Sequence, residues 1–390
     1  MEKLKILFAG DFCIRGNAVE NLDKETIEKN SAPVRTATSN RDISVVNVET
    51  VFTDVLSPVE KSGPTLSSPL SALDYLKSYG FTIGAMANNH VCDQGYEKGL
   101  LSKQSVQDCG MLTMGYGKNL CEAKQPIRIE KKGIKISFLN YAENEFTAAT
   151  PSKPGFAPIN FYENAVQVRE EKATSDFVFV MLHAGNENCP IPRNGVKDFC
   201  RALIDAGADG VIISHPHCPQ GISYYKEKPI VYSMGNFFMS DRDEGFSRWN
   251  TGYMADITIN DDSSVTAVPV PYEFASDCSS FSFMEGERKE LFLKYLDTLS
   301  KAAEIADEEE YQNLMYAWSI MYMEDMSGFI DSVKDDRTFN GEYMLFIKNA
   351  FSCESHREVM KNYFTVLTTG QLENFEEYKE KIKALQKLPF

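Results

Sequence analysis

Histidines are the residues of this chain best suited to chemistry, because only five occur and four of them stand at or just beyond the ends of short apolar runs. Two carboxylates share this placement, and an amide precedes one of the histidines. Imidazole and carboxylate ligands together suit Zn²⁺, Mn²⁺ or Fe ions. The residue types therefore predict a site for one or two divalent metal ions. The seven groups are Asp11, Glu49, Asn89, His90, His183, His215 and His217.

The apolar runs that lead to these groups predict the elements that position them. Runs such as 177–182 and 211–213 are continuous, rich in β-branched and aromatic residues, and typical of buried parallel strands. Ligands of open α/β sheets bind beyond the carboxyl ends of the strands. We therefore expect the seven groups to meet at one sheet edge. The alternative is that polar residues stand at strand ends by chance, but nearly the whole histidine content shares this one context.

Two short motifs refine the expected geometry. Pro216 lies between His215 and His217 and disfavours helix before it, so the two imidazoles are expected on opposite sides of an extended chain, facing neighbouring ions. Asn89 and His90 are adjacent, and neighbouring side chains of an extended chain also point to opposite faces. If Asn89 binds metal, His90 is therefore free to act as a general acid or as a group that stabilises an oxyanion.

Composition limits the class of protein. A chain of 390 residues with 43% hydrophobic residues can bury a large core, and a net charge of −16 argues against nonspecific binding to nucleic acid or to anionic membranes. The N-terminal apolar run is too short for a signal peptide, and no stretch is long enough to span a bilayer. Nine cysteines without CxxC spacing predict a reducing compartment, so we expect a cytoplasmic location.

The pattern changes along the chain and predicts two regions. Residues 1–274 carry the strand-end groups, whereas residues 275–390 have helical periodicity, for example over 285–305 and 342–367. We expect the second region to be a helical subdomain whose removal leaves the metal-binding core intact. The alternative is that its helices cover an apolar face of the sheet. His356 lies in this region and is expected to be an ordinary side chain.

Six segments of the first region carry a family resemblance, and they occur in order over residues 4 to 240. They resemble the CapA/PgsA capsule-synthesis proteins, a branch of the calcineurin-like metallophosphoesterase superfamily. The Ala-Asn-Asn-His-x-x-Asp-x-Gly and His-Pro-His blocks are the specific signals. The segments are Gly10-Asp11 with Arg15, Asn47 to Glu49, Ala87 to Gly95, His183 to Glu187, His215 to His217, and Tyr232 to Phe237.

The resemblance implies an α/β fold, a four-layer αββα metallophosphoesterase-like sandwich with a C-terminal helical appendage, and it implies a role for each matching residue. Asp11, Glu49 and His217 would bind the first metal ion, and a bridging Glu49 with Asn89, His183 and His215 would bind the second. His90 would be the catalytic imidazole, with Asp93 orienting it. The residues that would contact substrate are Arg15, Glu187 and Asn236.

The chain departs from the family pattern at two places. The first motif of metallophosphoesterases usually reads Asp-x-His, but here it reads Asp11-Phe12-Cys13. The capsule-synthesis branch commonly lacks that histidine, so the first metal site is short of a ligand unless Cys13 supplies a thiolate. The alternative is that Cys13 is an ordinary small side chain. Ala184 and Asn188 replace aromatic residues of the family, which widens the expected pocket and alters substrate choice.

Two functions follow from the resemblance. The first is a metal-dependent hydrolase that acts through a metal-activated water on poly-γ-glutamate, or on a related γ-glutamyl amide or phosphoester. The second is a non-catalytic component of poly-γ-glutamate capsule biosynthesis that binds the anionic polymer. Either function predicts an anionic small-molecule or polyglutamate partner and no nucleic acid, and neither fixes the oligomeric state.

Overall fold

Two β-sheets packed face to face form the centre of the molecule, which is known from a computed structural model that describes residues 4–240, 247–335, 341–370, 372 and 374–390. In chain order the strands are β1 (Leu4–Cys13), β2 (Ile43–Val48), β3 (Ile83–Ala85), β4 (Leu112–Met114), β5 (Tyr116–Gly117), β6 (Ile127–Lys131), β7 (Ile134–Ala142), β8 (Gly155–Phe156), β9 (Phe177–His183), β10 (Gly210–Ser214), β11 (Ile222–Tyr225), β12 (Lys228–Val231), β13 (Asn236–Met239), β14 (Thr251–Ile259), β15 (Val265–Phe274) and β16 (Phe281–Phe283).

The helices lie mainly on the outer faces of the sheets and in the C-terminal region. Short 3₁₀ turns cover Gly16–Asn21 and Leu70–Ala72. The α-helices are α1 (Lys24–Ser39), α2 (Leu73–Tyr79), α3 (Tyr96–Asp108), α4 (Leu120–Ala123), α5 (Phe161–Lys172), α6 (Asn194–Ala206), α7 (Gly286–Ala303), α8 (Glu308–Asp335), α9 (Gly341–Ser352), α10 (Glu354–Thr369) and α11 (Phe375–Leu385).

The apolar runs of the sequence are neighbouring parallel strands, as predicted. The first sheet has the order β16-β15-β14-β1-β2-β3-β4, with β13 paired to β1, and β1 to β4 run parallel. The second sheet has the order β11-β12-β10-β9-β7-β6, and β7, β9 and β10 run parallel. Strands β5 and β8 form a separate small pair. The strands that lead to the metal-capable groups are therefore central in both sheets.

Three apolar clusters show the layers. Residues of both sheets, such as Phe8 and Phe179, pack together between them. Helices α1 to α3 cover the outer face of the first sheet through residues such as Tyr75. Helices α5 and α6 cover the outer face of the second sheet through residues such as Val168 and Leu203. The predicted αββα sandwich is confirmed by this order of layers.

The C-terminal helices are present, and the first of them shares the core between the sheets. Phe292, Leu296 and Leu299 of α7 are at most 3% exposed and belong to the inter-sheet cluster. This packing favours the alternative that the helices cover apolar surface, while the boundary at residue 275 stays a prediction. The single helix expected over 342–367 is divided into α9 and α10 at Cys353.

Two further observations bear on the predicted location. None of the helices in the described part of the chain is both long enough and apolar enough to cross a membrane. All nine cysteines are free thiols. The cytoplasmic location stays a prediction.

A close approach of two backbones joins β1 to β13. A Cβ atom on Gly10 would lie 1.9 Å from the carbonyl oxygen of Gly235, so only glycine fits there. Gly235 has φ of 76° and turns the chain after β12 so that Asn236 pairs with Asp11 at the start of β13. This turn brings a polar amide to the same sheet edge as the carboxylate.

Candidate metal centre

The seven metal-capable groups meet at the carboxyl ends of the central strands. Strand pairing aligns Asp11 with Asn47 across β1 and β2, and His183 with Ser214 across β9 and β10. Glu49 follows β2, and the Asn89-His90 turn follows β3. All seven groups are buried, with at most 6% of each residue exposed.

Glu49 lies at the centre of the group and its carboxylate is unsatisfied. Both carboxylate oxygens are buried and have no hydrogen-bond partner among the described residues. The Nε2 atoms of His183, His217 and His90 lie 3.3, 3.8 and 3.9 Å from its Oε1. Burial raises the pKa of Glu49 above its usual range. An unpaired buried carboxylate facing three imidazole nitrogens fits a bridging ligand between divalent ions.

The remaining donors lie close to one another around Glu49. His183 Nε2 lies 2.9 Å from Asn89 Oδ1 and 3.1 Å from His215 Nδ1, which joins the ligands expected for the second ion. Asp11 Oδ2 lies 3.5 Å from His217 Nδ1, which joins those expected for the first. Two tighter groups of ligand atoms, each within 4.8 Å, are Glu49 with His215 and His217, and Asp11 with Glu49 and His183. Which ion each residue binds therefore stays a prediction.

The backbone of the His-Pro-His segment differs from the extended chain that we predicted. His215 has φ of 105° and His217 has φ of 54°, values that are uncommon for residues other than glycine. Tertiary hydrogen bonds hold this conformation, since His215 N–H donates to Asp11 Oδ2 at 3.2 Å and Asn188 N–H donates to the Pro216 carbonyl at 2.8 Å. The prediction of an extended segment was wrong, but the two imidazole centroids lie 5.8 Å apart, and each ring has a nitrogen within 4.8 Å of a Glu49 carboxylate oxygen.

His90 and Asp93 form a pair beside the centre. Asn89 and His90 lie in a turn rather than in the extended chain that we predicted, and Asp93 N–H closes it onto the His90 carbonyl. His90 Nδ1 lies 2.5 Å from Asp93 Oδ2, so the carboxylate fixes the ring with Nε2 toward Glu49. Burial, reinforced by Lys61, lowers the pKa of His90, because Lys61 Nζ lies 3.3 Å from Nδ1.

Lys61 was not predicted from the sequence. Its side chain is 2% exposed, and Nζ donates to Asp93 Oδ1 at 2.7 Å and to the Asn89 carbonyl at 3.2 Å. The same carboxylate accepts from the Leu66 N–H at 2.6 Å. Lys61 lies in a Pro-, Ser- and Gly-rich loop without periodicity, so nothing in the pattern indicated that it reaches the centre.

Two asparagines orient ligands of the centre. Asn47 donates from Nδ2 to Asp11 Oδ1 at 2.7 Å, and the same nitrogen lies 3.3 Å from His183 Nδ1. Asn236 Oδ1 lies 2.8 Å from His217 Nδ1, while its Nδ2 donates to the Trp249 carbonyl at 2.8 Å. Asn236 is fully buried and both ends of its amide are engaged, so the geometry favours an orienting role over the predicted contact with substrate.

The other predicted residues lie around the centre. Arg15 is half-buried, and its backbone N–H donates to Ser240 Oγ at 2.7 Å. Glu187 is exposed in the loop after His183, where its charge contributes to the raised pKa of Glu49. Their contacts with substrate stay predictions.

Cys13 has the surroundings of an ordinary buried side chain. It packs in an apolar cluster with Leu66, Met239 and Trp249, and Sγ lies 3.9 Å from Ser68 Oγ. Burial raises the pKa of its thiol to about 11, so the thiol is neutral at pH 7. These surroundings favour the alternative in which the first site has no cysteine ligand.

The sequence matches proteins associated with bacterial capsules. Residues 5–241 match the profile of the family described as bacterial capsule synthesis protein PGA_cap. The capsule biosynthesis protein CapA of Bacillus anthracis is 28% identical over 215 residues, which are 53% of this chain and 51% of that protein. The PGA biosynthesis protein CapA of Bacillus subtilis (strain 168) is 31% identical over 188 residues, which are 47% and 48% of the two chains. This chain spans about half the length of these relatives.

Solved structures resemble the fold more distantly. A novel phosphatase from Mycoplasma pneumoniae superposes with a TM-score of 0.45 and 16% identity over 70% of this chain and 95% of its own. A putative 5'-nucleotidase from Staphylococcus aureus superposes with a TM-score of 0.47 and 10% identity over 76% and 58%. At these scores the likeness carries no functional conclusion.

Proposed function

Because this chain belongs to the bacterial capsule synthesis family PGA_cap, we propose that it is a metal-dependent hydrolase of γ-glutamyl amide or phosphoester bonds. The observation that carries the proposal is the buried carboxylate of Glu49, which has no hydrogen-bond partner in the described part of the chain and faces three imidazole nitrogens. An unpaired carboxylate is costly to bury, whereas the same carboxylate is a strong ligand for a divalent ion. Its surroundings suit metal binding better than structural packing.

The residues that would bind the metal are Asp11, Glu49, Asn89, His183, His215 and His217. When bound, one or two divalent ions of Mn, Zn or Fe would supply a Lewis acid and an activated water. In its doubly protonated form, with Nδ1–H held by Asp93, His90 would donate the Nε2 proton to the leaving group and return to the neutral ring. Lys61 would keep Asp93 and the Asn89 carbonyl in place.

The substrate proposed is poly-γ-glutamate or a smaller γ-glutamyl compound or phosphoester. Two divalent ions beside Asp11 and Glu49 would leave a local charge of about +2, which favours an anionic substrate despite the overall charge of −16. The family association with the glutamate polymer supports a γ-glutamyl amide over other anions.

A second candidate is a non-catalytic component of capsule biosynthesis that binds the anionic polymer. The observation that favours it is the packing of Cys13 with Leu66, Met239 and Trp249, which leaves the first metal site without a ligand at the position of the histidine of other metallophosphoesterases. A site with fewer ligands can still bind anions through one ion without hydrolysing them.

A paired assay distinguishes the two functions. The chain is stripped with a chelator, reloaded with Mn²⁺ or Zn²⁺, and tested on phosphoesters, γ-glutamyl dipeptides and poly-γ-glutamate. Turnover that appears only after reloading and disappears in Glu49→Gln supports the hydrolase. Metal-dependent binding of poly-γ-glutamate without turnover of any substrate supports the binding component.

A further inference from the structure

Glu143 links the metal centre to the C-terminal helices. It follows β7 directly, and its N–H donates to the carbonyl of His183, the last residue of β9, at 3.1 Å. Its carboxylate is 3% exposed and accepts from Ser355 Oγ at 2.6 Å and from the Arg193 guanidinium. One residue therefore holds a candidate metal ligand through its backbone and helix α10 through its side chain.

The first two turns of α10 also contact the loop after β7 and the loop between β9 and α6. Glu354 accepts from the backbone N–H and the side-chain amide of Asn144 at 2.8 and 2.7 Å. Glu358 accepts from Arg193 Nη1 at 2.6 Å and from the Gly195 N–H at 3.2 Å. The loop after β7 and the loop between β9 and α6 are thus both fastened to α10.

The loop from Ala184 to Arg193 is also bounded by α8 and α11. Cys189 and Ile191 are fully buried in a cluster that includes Leu314 of α8 and Ile382 of α11. Gln386, just beyond α11, donates to the Asn188 carbonyl at 3.1 Å, and the Tyr311 hydroxyl donates to the Pro192 carbonyl. This loop begins at the residue after His183 and carries Glu187, so helices outside the family match enclose the segment next to the metal ligand.

We propose that the first two turns of α10 position His183 through Glu143, so that the C-terminal helices are part of the metal centre and not a separable appendage. Glu143 and Ser355 are positioning residues, since neither touches the metal-capable atoms. Arg193 is 6% exposed between two carboxylates, and a buried ion pair of this kind has one favourable geometry. We call the contacts of Glu143 with Ser355 and Arg193 the brace. The brace can therefore set the position of the His183 carbonyl rather than merely cover it.

The test uses the full chain and the variant Glu354→Gln/Ser355→Ala, which removes the Ser355 hydrogen bond to Glu143 and one of the two Glu354 acceptor oxygens that hold Asn144, while leaving the Glu358 contacts and the pair between Arg193 and Glu143. Matched controls are Ser105→Ala and Glu380→Gln, which change hydrogen-bonded residues on the surface of α3 and α11. Hydrogen–deuterium exchange of peptides within 178–190 measures the protection of the backbone amides in β9 and the loop that follows it. Titration calorimetry with Mn²⁺ measures the affinity of the metal centre. Circular dichroism confirms that each variant folds, and Ser355→Ala alone replaces the double variant if that variant does not.

The brace predicts faster exchange in 178–190 and at least about tenfold weaker Mn²⁺ binding in the α10 variant, with both controls like the wild type. Unchanged exchange in 178–190 would overturn the brace, whatever the Mn²⁺ affinity. The affinity readout rests on the metal centre proposed above, but the exchange readout does not. A wild-type chain without Mn²⁺ affinity would thus contradict the proposed function, while the exchange data still decide the brace.

Discussion

The Nδ1 atom of His217 lies 2.8 Å from Oδ1 of Asn236, and this contact fixes which nitrogen of the imidazole faces the centre. Because the Asn236 amide nitrogen donates to the Trp249 carbonyl, its oxygen must accept from His217. In the neutral imidazole that metal binding requires, Nδ1 therefore carries the proton, and Nε2 presents a lone pair toward Glu49 at 3.8 Å. The Trp249 ring packs on the imidazole with centroids 4.9 Å apart and limits its rotation.

Replacing Asn236 tests this arrangement. We expect Asn236→Ala to weaken Mn²⁺ or Zn²⁺ binding by roughly 10- to 100-fold, because loss of the partner of a ligating histidine frees its tautomer and ring. Calorimetric titration measures the effect, with Asn260→Ala in the turn after β14 as the control. Full metal affinity in Asn236→Ala would show that the amide does not orient His217.

His90 is expected to serve proton transfer and not metal binding. His90→Asn should retain metal and lose roughly 10²- to 10⁴-fold in turnover of any substrate found, the usual contribution of a general acid–base group. His215→Asn should lose metal as well, because its Nδ1 lies 3.1 Å from His183 Nε2 inside the ligand cluster. Turnover of His90→Asn at the wild-type rate with full metal occupancy would remove His90 from the mechanism.

Cys13 is expected to contribute nothing to metal binding. Its side chain packs against Leu66, Met239 and Trp249, with Sγ 3.9 Å from Ser68 Oγ, and burial raises the pKa of the thiol to about 11 in the metal-free chain. Cys13→Ala should bind the same number of ions with an affinity within about twofold of the wild type. A loss of one ion per chain, measured by elemental analysis, would instead assign a ligand to Cys13.

The effect of metal on stability should depend on pH. In the metal-free chain, burial and the nearby Glu49 raise the pKa of Asp11 to about 6, whereas an unfolded aspartate titrates near 3.9. Between about pH 4 and 6 the folded chain binds more protons than the unfolded chain, so the Asp11 contribution to stability falls as pH rises. Metal binding needs the deprotonated carboxylate, so metal should add more stability as pH rises through this window.

We therefore expect Mn²⁺ to raise the Tm of the wild type more at pH 7.5 than at pH 5. The control is Asp11→Asn, whose side chain does not titrate. In this variant, the difference between the Mn²⁺-induced gains in Tm at pH 7.5 and pH 5 should shrink by the part that comes from the Asp11 carboxylate. Equal gains in wild-type Tm at both pH values would contradict the proposed protonation of Asp11.

The metal-capable groups could be predicted from the sequence because each stands at or just beyond the end of a continuous apolar run. Such a run indicates both a β-strand and the position where the strand ends. His183 and Asp11 are found in this way, since their strands are buried on both faces and read as unbroken apolar segments. The αββα layers follow from the same runs together with the amphipathic helices between them.

The contacts that orient these groups could not be predicted, because they depend on residues distant in the chain. Lys61 reaches Asp93 through a loop held by a hydrogen bond from the Val59 N–H to the Asp93 carbonyl. The positive φ of His215 depends on the carboxylate of Asp11, 204 residues away. Helical periodicity in α7 predicts a buried face, but it does not tell which surface that face covers.

The central claim is that the cluster around Glu49 binds divalent metal, and elemental analysis of reloaded protein tests it most directly. Wild type and Glu49→Gln are stripped, dialysed against Mn²⁺ or Zn²⁺, and measured for metal content per chain, with Glu380→Gln as the matched surface control. The account predicts one or two ions in the wild type and the control, and a loss of metal in Glu49→Gln. A wild-type chain that retains no metal, or a Glu49→Gln chain that retains all of it, would contradict the account.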